Sequence, residues 1–445
     1  MLIKHYVSLL ALSGLSLLSH AQSFNKAKLD SLLTTLASHD KAMGSLTISQ
    51  NGAVVYSRAI GYESLNGTTK TPATPSTHYR IGSVTKVFTA TLIFQLIDEG
   101  KLTLDTPLAT YFPQLPNAQR ITIGQLLSHH SGLHSFTNDA TYSTYFTQPK
   151  TQAEMLAMIG QGKPDFEPGA KFSYSNAGYV VLGYVVEKIT KQPYAQALQK
   201  RITNKIGLKD TYYGGKTDPK RHESYSYRLA SSWQAMPETD MSIPGGAGAI
   251  VSTTTDLNRF AEALFAGKLV SEKSLARMQT ITDNGFGMGL MRMQFGAKRA
   301  YGHGGSIDGF GTSLGYFPEE KLAVAYISNG QSYPLNDVML GVLSIYFQQP
   351  YRLPDFDAKA PTLAATDLVP YVGTYASTSI PLKITVSAVG ATLQAQATGQ
   401  PVLPLTPVTK DVFSYDAAGI RLEFAPSRHE MLLKQGGGSF LFTLE

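Results

Sequence analysis

The 445-residue sequence predicts an α+β fold: an antiparallel sheet flanked by helices, a mainly helical subdomain, and a small all-β, barrel-like domain at the C-terminus. Three observations predict it. Hairpin-type alternation appears near residues 45–59 and again at 311–328, helical spacing of apolar residues fills the interval between them, and short alternating strands follow a proline-punctuated break.

Residues 24–39 place Leu29, Leu32, Leu33 and Leu36 at helical spacing, which predicts an amphipathic helix. Residues 45–49 and 53–59 alternate around Asn51-Gly52, a dipeptide that tolerates the positive φ of a tight hairpin turn. From 84 to 97 nearly every face is apolar and Gly100 follows as a stop, so this helix belongs in the interior. Helical patterns at 123–127, 152–159, 178–189 and 257–265, separated by long loops, read as a helical region inserted between strands. A second hairpin is expected from 311–317 and 322–328, turning near Glu319-Glu320, and a helix at about 334–347 closes the unit. Pro350, Pro354 and Pro361 then mark a break, and strands are expected at 382–386, 392–397, 420–424 and 440–444. The expected division is a signal peptide at 1–21, a catalytic unit at 22–353, a linker at 354–365 and a β domain at 366–445.

Composition narrows the chemistry. There is no cysteine, which excludes disulfide scaffolds, thiolate metal sites and cysteine nucleophiles. The 38 Lys+Arg against 32 Asp+Glu leave +6 without a long basic run, so the electrostatic footprint of a nucleic-acid binder is missing and no nucleic-acid partner is expected. Lys4, an apolar run at 6–18 and the small-residue pattern Ser19-His20-Ala21 read as an export signal too short to anchor in a bilayer. A periplasmic or secreted protein with no transmembrane anchor after cleavage is expected.

Ser83-Val84-Thr85-Lys86 opens the apolar helix. A spacing of three puts hydroxyl and amine on neighbouring positions of one helical face. The helix N-terminus and burial both disfavour an ammonium, pushing the lysine from about 10.4 toward neutrality, and a neutral amine beside a serine is a base beside a nucleophile. Ser23 with Lys26 and Ser38 with Lys41 repeat the spacing, but neither opens an all-apolar helix; the alternative for Ser83 and Lys86 is a helix N-cap and a solvated side chain. In Phe172-Ser173-Tyr174-Ser175-Asn176 an extended backbone would aim Tyr174 and Asn176 into one space, a phenol to shuttle a proton if nearby cations lower its pKa and a carboxamide to orient a lysine or a substrate amide. The alternative for this pair is a core aromatic and a helix N-cap. Tyr301-Gly302-His303-Gly304-Gly305-Ser306 places glycines in a strand, where they mark close approach of a ligand or another backbone. There His303 would present a partial positive charge and the Ser306 N–H would donate to an oxyanion; the alternative is a simple β-bulge with a surface histidine.

These three motifs, in this order, resemble the serine β-lactamase and D-alanyl-D-alanine carboxypeptidase superfamily, specifically its class C-like branch, over about residues 25–350. The runs 126–133, Pro168-Gly169 and 246–256 look like that branch, and the tail resembles the lipocalin-like β domain that often follows such hydrolases. The resemblance implies a β-lactamase/transpeptidase-like fold, Ser83 as acylated nucleophile, Lys86 as proton acceptor, Tyr174 as acid/base partner and Asn176 as a substrate-amide contact. It also implies an oxyanion hole from the N–H groups of Ser83 and Ser306, with His303, Gly304 and Gly305 bordering the substrate. No metal or organic cofactor is implied, and the expected partner is a small molecule or peptide: a cell-wall peptide, a β-lactam or an ester. A D-alanyl-D-alanine carboxypeptidase-like or related peptidase or amidase, acting on D-amino-acid-containing peptides of the cell-wall type, is the leading expectation, with an esterase or weak β-lactamase of the same fold, or a non-catalytic peptidoglycan or β-lactam-binding sensor, as alternatives. The best-known members carry Lys-Thr-Gly where this chain has His303-Gly304-Gly305, which implies weaker capture of a free carboxylate.

Two further patterns point elsewhere. Gly311-Thr312-Ser313-Leu314-Gly315 matches a nucleophile elbow but is expected to run along a strand. His129, His130 and His134 have the residue type of metal ligands but lack the glutamate of the zinc-protease pattern, so a structural loop role is expected.

Overall fold

The structure is a computed structural model and describes residues 24–445 apart from 358–360, 379, 381, 416, 417, 436 and 437. The expected signal peptide at 1–21 lies outside the described residues.

A mixed sheet of eight strands organises the first unit. Its main path is antiparallel and runs β3-β4-β5-β6-β1-β2, with β1 Ala42–Gln50, β2 Ala53–Ile60, β3 Met291–Phe295, β4 Lys298–Ile307, β5 Phe310–Phe317 and β6 Leu322–Gln331. The N-terminal hairpin therefore joins the C-terminal strands directly, β1 pairing with β6 from Ala42 opposite Gln331 to Gln50 opposite Leu322. Strand β6 is buried on both faces, and its period of two divides it cleanly. Ala323, Ala325 and Ile327 enter the core shared with the helical region, while Leu322, Val324 and Tyr326 enter a second core on the opposite face.

That second core is closed by helices α1 (Lys26–Ser38) and α5 (Leu335–Tyr346), the first and last helices of the unit. Asn25 caps α1 by accepting from the Lys28 N–H, and Leu29, Leu32, Leu33 and Leu36 all turn inward as their spacing requires. On the other face lie α2 (Thr85–Asp98), α3 (Asn176–Thr190) and α4 (Thr254–Phe265). Every residue of α2 from Thr85 to Leu96 is buried, consistent with a helix lacking a polar face. Its polar side chains turn to carbonyls: Thr89 donates to Gly246 and Gln95 to Leu269. The Phe88 ring stacks on Phe260 of α4 with centroids 3.7 Å apart, locking α2 over the sheet.

The region expected to be mainly helical also carries short strands. Tyr79–Arg80, Ile250–Ser252 and Tyr212–Tyr213 form a small sheet beside α2, and Tyr227–Leu229 with Trp233–Ala235 extends the end of β6. Strands of two or three residues have no legible period of two. After the linker, eight antiparallel strands from Gly373–Ala376 to Gly438–Leu444 close into a barrel filled by side chains such as Tyr375, Phe413, Met431 and Phe442. Four of the eight were legible; Leu403–Thr409 was not, because Pro404 and Pro407 interrupt its alternation.

Truncating Phe88 to Ala removes the stacked contact from a site with no solvent exposure. The expected loss in chemical-denaturation stability is about 3–5 kcal/mol, and a loss below about 1 kcal/mol would contradict the packing described.

Candidate active site

The cleft opens where the short turn Gly82–Val84 leads into α2 and meets the end of β4. Glycine makes the meeting possible. Gly82 has φ of +50°, and a Cβ there would lie 2.8 Å from the Ser306 nitrogen. From the other side, a Cβ on Gly305 would lie 2.1 Å from the Ile81 carbonyl oxygen and 3.3 Å from the Ser83 nitrogen. Two backbones thus touch without side chains between them, which brings the Ser83 and Ser306 amides to the same end of the cleft.

Lys86 has no solvent exposure, yet its Nζ has three oxygen neighbours. It lies 2.9 Å from Ser83 Oγ, 2.8 Å from Asn176 Oδ1 and 2.9 Å from the Ala247 carbonyl oxygen. Burial holds its pKa well below the ordinary lysine value. In the neutral amine, two N–H bonds donate to the Asn176 and Ala247 oxygens, and the lone pair faces the Ser83 hydroxyl. The Tyr174 ring sits 4.9 Å beneath the same nitrogen.

Burial raises the Tyr174 phenol above its ordinary value, with the Ser83 hydroxyl pulling the other way. The condition attached to its proton-shuttle role, that neighbouring cations lower its pKa, is not met: burial dominates and the direction is upward. Asn176 also departs from the simple picture of an extended motif. It starts α3, with Ser175 as N-cap, and its Nδ2 donates to Thr137 Oγ1 at 3.0 Å. Its carboxamide therefore orients Lys86 and is itself held by the turn Phe136–Asn138.

His303 corrects a second expectation. It is 3% exposed, and burial pushes its pKa down to about 3, so it presents no positive charge near neutrality. Its Nδ1–H donates to the Gly304 carbonyl, which leaves the lone pair on Nε2.

His129, for which a structural loop role is expected, supports the segment that carries Tyr174. The Ser173 N–H donates to its carbonyl at 2.9 Å, the Ser175 N–H donates to its Nδ1 at 3.2 Å, and its ring stacks on Tyr174 at 4.3 Å. One residue at φ of +61° thereby holds three consecutive residues, Ser173, Tyr174 and Ser175. The other two histidines point away: His130 bonds Ser128 and Asp283, and His134 bonds Asp139 and Asp165. Among the described residues no group of three His, Asp or Glu side chains is arranged to hold a metal ion. Ser313 lies inside β5, so the Gly311–Gly315 pattern does not form an elbow.

Beside Ser83 and Asn176 opens a pocket of about 430 Å³ with Phe136, Tyr142, Phe146 and Met236 in its wall. Its rim, the loop at 215–245, is tied down by the buried Arg80. That guanidinium donates to the Gly215 and Thr239 carbonyls, to Glu238 and to Asp308.

With the geometry in place, the comparisons are informative. A family model described as Beta-lactamase matches residues 29–341. Penicillin-binding protein 4* of Bacillus subtilis is 27% identical over 429 residues, covering 90% of this chain and 94% of that protein. The crystal structure of a D-amino acid amidase from Ochrobactrum anthropi SV3 superposes with a TM-score of 0.64 at 27% identity, covering 73% of this chain and 98% of its own. An octameric penicillin-binding protein homologue from Pyrococcus abyssi, at 24% identity and a TM-score of 0.65, shares the fold over 94% of this chain and 100% of its own.

Gly305→Ala forces β4 away from the turn that carries Ser83. Overpacking of this kind is expected to cost about 1–3 kcal/mol in thermal stability and to lower turnover about 100-fold or more; an Ala variant with wild-type kinetics would show that the close approach is dispensable.

Proposed function

Because the chain belongs to the beta-lactamase family and is a serine hydrolase, we propose that it cleaves amide bonds of D-amino-acid-containing substrates through an acyl-enzyme on Ser83, as an exported peptidase or amidase. The observation that carries this reading is the buried Lys86 amine, bonded to two carbonyl oxygens and aimed at the Ser83 hydroxyl.

In the proposed sequence Lys86 takes the proton from Ser83 Oγ as the oxygen attacks the substrate carbonyl carbon. The tetrahedral oxygen accepts from the Ser83 and Ser306 N–H groups, each donor worth on the order of 3 kcal/mol in similar hydrolases. Tyr174 gives its proton to the departing nitrogen and recovers one from Lys86, so the amine leaves neutral and the base is restored. Water then attacks the ester by the same route in reverse, releasing the acid and the free serine.

The phenol's position sets the direction of the substrate. The departing amine lies on the Tyr174 side, and the acyl group lies in the pocket walled by Phe136, Tyr142 and Phe146. That wall favours an apolar or aromatic acyl side chain. The D configuration is carried over from relatives whose names specify it. A neutral His303 supplies no charge to hold a free carboxylate, which favours amide substrates over the free-acid peptides of a D-alanyl-D-alanine carboxypeptidase. The same neutrality suits an ester, so esterase action is the second reading.

Intact-protein mass spectrometry after exposure to D-phenylalanine amide, a nitrophenyl ester and a penicillin should give an adduct on the peptide containing Ser83. Ser83→Ala is expected to lose turnover by as much as about 10⁶-fold, and Lys86→Met to stay folded but form no adduct. An adduct on another residue would overturn the assignment. The pH dependence follows from the pKa directions. Lys86 must be neutral, so kcat/KM rises with pH through its lowered pKa. Tyr174, raised, stays protonated, so the plateau extends to at least about pH 10. Activity that peaks in acid and falls through neutrality would contradict these roles.

A further inference from the structure

Two buried side-chain oxygens in the cleft have no hydrogen-bond partner among the described residues. On the Tyr174 side of Ser83 lies an open recess of about 430 Å³, separate from the aromatic pocket, bordered by His303, Thr312, Gln331 and Leu335. Thr312 is 2% exposed and its Oγ1 makes no hydrogen bond; Gln331 Oε1 is likewise buried and unbonded. A buried polar atom without a partner is destabilising unless water or a ligand completes it.

The backbone places both groups deliberately close to the chemistry. Thr312 pairs in register with Gly305 of β4, the residue packed against the Ser83 turn. Gln331 ends β6 and folds back over Gly311, where a Cβ would lie 3.1 Å from its Oε1 and 3.2 Å from its Nε2. The absent side chain of Gly311 is what lets the carboxamide lie there. No lysine or arginine among the described residues lines the recess, and His303 is neutral.

We propose that this recess selects leaving groups that carry a peptide or carboxamide N–H beyond the scissile nitrogen, with Gln331 and Thr312 as the selecting residues. The inference rests on the reading that Tyr174 protonates the departing amine, which puts the leaving group on this side. A glutamine carboxamide offers one acceptor and one donor in a plane, matching the N–H and C=O of a peptide group. A free carboxylate at the same place offers acceptors only and meets no cation, so it loses its hydration without compensation. The favoured substrates are therefore internal peptide bonds or aminoacyl amides, and not peptides ending in a free acid one residue after the cut.

The test compares D-phenylalanyl-D-alaninamide, D-phenylalanyl-D-alanine and D-phenylalanine methyl ester as substrates, which share one acyl group. The wild-type kcat/KM ratio of amide to free acid is expected to be at least about tenfold. Gln331→Leu and Thr312→Val should each shrink that ratio about fivefold or more, Gln331→Asn should retain most of it, and Gln331→Lys should shift preference toward the free acid. Each ratio is internal to one variant, so a partly folded preparation does not distort it. A wild-type ratio near one, or a ratio unmoved by both Gln331→Leu and Gln331→Lys, overturns the proposal while methyl-ester acylation of Ser83 still stands. Failure of all three substrates to acylate Ser83 overturns the catalytic reading and this one with it.

Discussion

An amine with no access to water is the constraint on which the rest of the site depends. Burying a lysine is unfavourable while it is charged, so burial lowers its pKa, and the Asn176 and Ala247 oxygens accept its hydrogens. Those two acceptors come from different parts of the chain, and both must be in place before the lone pair has one direction left, toward Ser83. The reactive geometry is thus a consequence of satisfying a buried donor. The elements that hold Asn176 and Ala247, namely the start of α3 and the turn Gly245–Gly248, serve the chemistry as directly as the motif residues do.

The same economy governs the proposed oxyanion end, where the Ser83 and Ser306 amides meet. Two amides can share one target only if their backbones come within contact distance, and a single Cβ at Gly82 or Gly305 would prevent it. Strand β4 is held at that distance by the whole antiparallel path behind it, from β5 through β6 to the N-terminal hairpin. Helices α1 and α5 cover the far face of the sheet, α5 reaching the recess beside Ser83 through its first residue, Leu335, and together they bury the second face of β6 and so keep the register fixed.

Around this rigid centre the cleft is divided. Aromatic side chains wall one side of Ser83, and a recess with unbonded polar atoms and no cation lies on the other. His303 stands where better-known relatives place a lysine, and burial strips it of charge. Family membership therefore gives the reaction class, serine hydrolysis, and the two pockets differ in the chemistry of their walls.

How much was legible in the sequence follows from range. Ser83 and Lys86 could be paired from the text because a helix fixes the geometry of residues three apart, and the alternation around Asn51-Gly52 and in 322–328 reports burial that a strand imposes locally. The glycines at 304 and 305 announced a close approach without saying to what. Tertiary structure alone decided that Lys86 is bonded to a residue 90 positions away and a carbonyl 161 positions away, and that His129 holds the Tyr174 segment. It also decided that His303 is neutral and that Gln331 reaches the cleft at all. Local pattern determines which residues can react; burial and long-range backbone contact determine their charge and their partners, because both depend on what the rest of the chain excludes from water.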